Sequence, residues 1–148
     1  MSLRDITVYA SDDRPVLVVE IKGHKDASRE NLERLRRSLA SEVHEVKPRF
    51  LLLAQRDDLF LWDLTSKVGA QPQVASAKSV LRDYAKSVPD PEHSLRKDGL
   101  QMVLRSWLDD LALGIRKPRA DSEADQLLVS SGIYQDIRQG RVEAEIDL

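Results

Sequence analysis

The sequence predicts an α/β fold, a mixed sheet flanked by helices with a mostly helical C-terminal half. Three observations predict it. Four short runs of strand character lie within residues 5–63, and one of them is apolar throughout. A helical spacing of leucines separates the second run from the third. Beyond residue 74 the apolar positions fall at i, i+3, i+4 and i+7, the period of helices packed on one side.

At 148 residues the chain is expected to form one domain, 1–148, able to bury a core unaided by disulfides or a structural metal. Within it, residues 1–63 read as a β-β-α-β-β core and residues 74–148 as a helical extension ending in a strand. The 41% hydrophobic and 32% charged residues are ordinary for a globular protein. The absence of cysteine excludes thiolate metal sites and cysteine nucleophiles. A net charge of −2 argues against non-specific coating of nucleic acid, but not against an enzyme touching it over a small patch. No stretch approaches the roughly 20 apolar residues of a membrane span. With a polar start and Asp5 where a leader's apolar region would lie, a cytoplasmic location is expected.

The first strand reads Asp5-Ile6-Thr7-Val8-Tyr9 and the second Val16-Leu17-Val18-Val19-Glu20-Ile21-Lys22, with a polar break over Ser11 to Pro15. Gly23 breaks the pattern and Ser28 offers an N-cap to a helix bearing Leu32, Leu35, Leu39 and Val43 on one face. Arg29, Arg34, Arg36 and Arg37 read as its solvated side, and Pro48 ends it. Phe50 to Ala54 is an apolar run that fits a strand buried on both faces. Arg56-Asp57-Asp58 turns the chain back into Leu59 to Trp62. The helix between the second and third strands should make a right-handed, parallel crossover.

Thr65 to Gln73 reads as a linker and Val74 to Tyr84 as a second helix. Asp90-Pro91 is expected to open a third, whose stripe is Leu100, Val103, Leu104, Trp107, Leu108 and Leu111, with Gly114 just past its end. Arg116 to Asp121 is a second linker, and Ser122 is placed to cap a fourth helix. Ile133 to Gln139 makes another turn or two, and Val142, Ala144 and Ile146 alternate with acids as a half-buried final strand. Trp107 is core or an interface anchor. These leucine-rich helices hold more apolar surface than one sheet face needs, so a homodimer through the Leu100–Leu111 helix or the final strand is expected.

Charges are depleted from strand interiors because an unpaired buried ion is costly. Three at one end of a hairpin therefore call for a reason. If Asp12 and Asp13 form a two-residue loop, Ile6 faces Val19, Val8 faces Leu17 and Asp5 faces Glu20. Opposed carboxylates roughly 5 Å apart at their Cβ atoms repel unless a cation lies between them, so deleting one should stabilise the metal-free protein. Lys22 projects from the same face as Glu20. Two acids and a lysine suit Mg²⁺-assisted phosphodiester cleavage, and they equally suit a salt-bridged sheet edge. His24 continues the face, but His44 and His93 lie far off in sequence, so it reads as a surface residue.

Asp5, the hairpin, Glu20-x-Lys22, a helix, then Phe50-Leu-Leu-Leu-Ala54, a turn and a strand ending Trp62-Asp63 resemble the PD-(D/E)xK nuclease superfamily. The type I restriction enzyme nuclease domains are the nearest likeness. The resemblance covers about residues 3 to 63 and implies a restriction-endonuclease-like fold and a metal-dependent endonuclease acting on nucleic acid, with DNA the expected substrate. It implies Asp5 and Glu20 as ligands of Mg²⁺ (or Mn²⁺), the Ile21 carbonyl as a third ligand, and Lys22 as the catalytic lysine. Members usually carry a helix before the first strand. Here either a C-terminal helix or a second subunit fills that layer, or the layer is missing. The competing reading is a catalytically inactive module of the same fold, acting as a dimerising or regulatory subunit.

Overall fold

In the computed structural model, which describes residues 5–22, 29–42, 46–66 and 71–144, six strands form one mixed sheet. They are β1 (Ile6–Tyr9), β2 (Pro15–Lys22), β3 (Phe50–Gln55), β4 (Asp58–Asp63), β5 (Gln73–Ser76) and β6 (Arg141–Ala144). Their order across the sheet is β5-β4-β3-β2-β1-β6, with β2 and β3 parallel and every other pair antiparallel. The α1 helix (Arg29–Glu42) makes the crossover between β2 and β3. The mixed sheet flanked by helices is therefore as expected.

The hairpin keeps the expected partners, Ile6 with Val19 and Val8 with Leu17, by another route. Its loop has three residues, not two: Ala10 N–H donates to the Arg14 carbonyl, Asp13 N–H donates to the Ala10 carbonyl, and Asp13 takes the left-handed conformation at φ 68°. Tyr9 consequently faces Pro15, and Val16 is left over as a bulge that restores the register at Leu17. Strand parity then sends Val18, Glu20 and Lys22 to one side of the sheet and Leu17, Val19 and Ile21 to the other.

The first side is covered by α1. Leu32 packs there with Val18, Leu51, Leu53, Phe60 and Trp62. Arg36 corrects the reading of a wholly solvated arginine face: only 5% of it is exposed. Arg34 and Arg37 are exposed as expected.

The second side carries α2 (Lys78–Tyr84), α4 (Lys97–Leu113), α5 (Glu123–Ser131) and α6 (Ile133–Ile137). Two expectations change here. Gln73–Ser76 is the edge strand β5, so only Lys78–Tyr84 of the second helix is helical. Asp90-Pro91 opens the single turn α3 (Pro91–Ser94), and α4 restarts at Lys97 after Leu95 leaves the helical region. The α4 stripe of Leu100, Val103, Leu104, Trp107, Leu108 and Leu111 is buried within this chain's own core. The apolar surplus that motivated a homodimer through α4 is thus consumed internally. Gly114 ends α4 at φ 78°, and the Ser122 hydroxyl accepts the Asp125 N–H at the start of α5.

A buried polar knot fastens these helices. Asp125, wholly buried, accepts from Trp107 Nε1 at 2.7 Å, Arg116 Nε at 3.1 Å and the Arg119 backbone N–H at 2.9 Å. Arg116 and Arg119 both reach Asp83 of α2, and the Tyr84 hydroxyl donates to Asp110 of α4 at 2.8 Å. Among the described residues no helix is long and apolar enough to cross a membrane.

Candidate active site

β1 gives way to a bend at Asp5, and there its side chain continues the ladder that the backbone gives up. Asp5 N–H donates to the Val19 carbonyl at 3.2 Å, and Asp5 Oδ2 accepts the Ile21 N–H at 2.7 Å. The carboxylate is therefore anchored on the peptide that joins Glu20 to Ile21. Its other oxygen, Oδ1, lies 3.2 Å from Lys97 Nζ in the first turn of α4. One turn further along α4, Gln101 Nε2 donates to the Asp5 carbonyl at 2.8 Å. The α4 helix packs against β1, β2 and β6 and supplies a cation and an amide to Asp5.

Glu20 and Lys22 occupy alternate positions at the end of β2, on the α1 side. Glu20 is 2% exposed and Lys22 is half-buried. In the parallel pairing with β3, Glu20 lies beside Leu53 and Lys22 beside Gln55. Gln55 shares the parity of Leu51 and Leu53 and so faces the same side. It is 1% exposed, and neither its amide nitrogen nor its amide oxygen has a hydrogen-bond partner.

The hairpin thus ties Asp5 to the Glu20–Ile21 peptide and sets Glu20 and Lys22 on one face. His24 lies outside the described residues, as does His44. Lys97, Gln101 and Gln55 escape sequence reasoning. The first two sit more than 90 residues from Asp5, with no local pattern linking them to it. Gln55 is legible only as the polar residue that ends an apolar strand.

Among the described residues, no group of three or more His, Cys, Asp or Glu side chains converges. The acids at this end of the hairpin are Asp5 and Glu20; Asp12 and Asp13 lie in the loop at its other end. Two carboxylates are a donor set that Mg²⁺ accepts, because it keeps several waters and fills its shell from substrate phosphate. That Asp5 already attracts an ammonium group marks it as a place where positive charge is stabilised. No protein-family model, curated protein or solved structure matches the chain.

Proposed function

We propose that this protein is a nuclease dependent on Mg²⁺ or Mn²⁺ that hydrolyses phosphodiester bonds of nucleic acid, DNA first among them, on a restriction-endonuclease-like fold. The observation that carries the reading is the bond from Ile21 N–H to Asp5 Oδ2, which anchors one acid on the strand end where Glu20 and Lys22 share a face. In this reading Asp5 and Glu20 hold the ion, which lowers the pKa of a bound water and offsets charge on the phosphate. Lys22 holds the attacking water and stabilises the developing negative charge as a compact cation. Gln101 fixes the Asp5 backbone, so the carboxylate has less freedom to turn away.

One observation favours the second reading, a module without catalysis. The Lys97 ammonium group, 3.2 Å from Asp5 Oδ1, offsets the charge of this carboxylate from within the chain. A homodimer now rests on β6, an outer strand of the sheet, and light scattering at 16.8 kDa in micromolar solution would refute it.

Calorimetric metal titration beside a cleavage assay separates the two readings. Wild type should bind Mg²⁺ and cut. Asp5→Ala and Glu20→Ala should lose both properties, whereas Lys22→Ala should keep the metal and lose turnover. If wild type binds no divalent ion at millimolar concentration, or Lys22→Ala cuts as well as wild type, the nuclease reading is wrong.

A further inference from the structure

Gln55 poses a problem that the proposed reaction does not itself resolve. Buried amides are almost always hydrogen-bonded, because a donor or acceptor taken from water without a new partner costs free energy. Gln55 leaves both Nε2 and Oε1 unpartnered at 1% exposure. Its place in the sheet is not random. It is the cross-strand neighbour of Lys22 in the parallel pairing, so the two backbones run roughly 4.8 Å apart and both side chains leave the same face. That face is also the one from which Glu20 projects. An apolar residue here would simply have extended the run Phe50-Leu51-Leu52-Leu53-Ala54, every member of which is buried.

We infer that the Gln55 amide is a phosphodiester-binding group of this site. Nε2 donates to a non-bridging phosphate oxygen beside Lys22, and Oε1 accepts a hydrogen bond from a water on the same phosphate. An amide suits this position because it offers a donor to an anion without adding charge. Lys22 alone is a point charge with rotatable donors and fixes no orientation. Placed beside it, Gln55 would set which phosphate oxygen faces the lysine. The inference rests on the nuclease reading and adds to it the residue that orients the substrate.

The test pairs stability with binding. Gln55→Met removes both polar atoms while nearly keeping the volume. It should raise the melting temperature by about 2–4 °C, because two buried unpaired groups disappear. It should also weaken binding of a duplex oligonucleotide, measured by fluorescence anisotropy with Ca²⁺ in place of Mg²⁺, by about tenfold or more. Gln55→Glu, similar in shape but repelling phosphate, should weaken binding at least as much. A lower melting temperature for Gln55→Met means that the amide has a structural partner and overturns the inference. So does a more stable variant that binds and cuts like wild type. In both cases wild type still binds and cuts, and the nuclease reading stands. If wild type neither binds the duplex nor cuts it, the nuclease reading fails and the inference falls with it.

Discussion

The ammonium group of Lys97 sits 3.2 Å from Oδ1 of Asp5, joining the first turn of α4 to the residue that opens the β1–β2 hairpin. A divalent ion at Asp5 has to share that oxygen with Lys97 or displace it. On the proposed nuclease reading, the ion pair would compete with the metal. It is a weak one, since the lysine side chain is 56% exposed and surface pairs contribute little.

Lys97→Met should therefore tighten Mg²⁺ binding by up to about fivefold, the equivalent of the roughly 1 kcal/mol that such a pair contributes. Titration calorimetry at low and high salt checks this. The gain should shrink at high salt, where screening already weakens the wild-type pair. Unchanged affinity at low salt would show that Lys97 does not compete.

Asp5→Ala is now expected to destabilise the metal-free protein. Carboxylate repulsion predicted the opposite, but Asp5 accepts the Ile21 N–H and pairs with Lys97, and both contacts are lost on truncation. The cost should be about 1–2 kcal/mol, and urea unfolding without divalent ions measures it. A stabilised variant would mean that repulsion from Glu20 outweighs both contacts.

Asp125→Ala should be more damaging, by about 2–4 kcal/mol, because it leaves the Trp107 indole N–H and the Arg119 N–H without their acceptor and leaves Arg116 with Asp83 alone. Thermal unfolding gives the size. A change under about 1 kcal/mol would show that the knot is not what fastens α4 to α5.

The Tyr84 phenol should stay neutral until pH rises to about 12, because partial burial and the neighbouring Asp110 both disfavour phenolate. The folded state thus holds this proton more tightly than the unfolded chain, whose phenol titrates near 10. Its contribution to stability is fully present below pH 10 and is lost as pH climbs through 12. Ultraviolet titration of wild type against Tyr84→Phe isolates this group among three tyrosines.

The hairpin was legible because its alternation leaves one sensible register, and a slip by one residue would turn every apolar side chain to the wrong face. What the alternation hid was the combination of a left-handed Asp13 and the Val16 bulge, two irregularities that cancel by Leu17. β5 was illegible for a different reason. It is four residues long and its Val74 is 57% exposed, so it carries no pattern and exists by pairing with β4. Asp90-Pro91 matched a capping pattern yet began only one turn, since the chain leaves the helical region at Leu95. At the site, the Glu20–Lys22 spacing announced itself, but Lys97 and Gln101 reach Asp5 only through tertiary packing.

The pairing of β1 with β6 has a consequence for how the protein is made. Residues 6–9 hydrogen-bond with residues 141–144, so the outer side of β1 waits for a partner until nearly the whole described chain has left the ribosome. At about 5–20 residues per second, that wait is roughly 7 to 27 seconds. During it the nascent hairpin presents an open strand edge, the kind of surface on which neighbouring chains pair in error. Gly140 is part of what closes that edge: a side chain there would collide with the Tyr9 carbonyl, so the smallest residue lets β6 dock. The nascent hairpin thus keeps this edge open for as long as the residues between β1 and β6 take to be made.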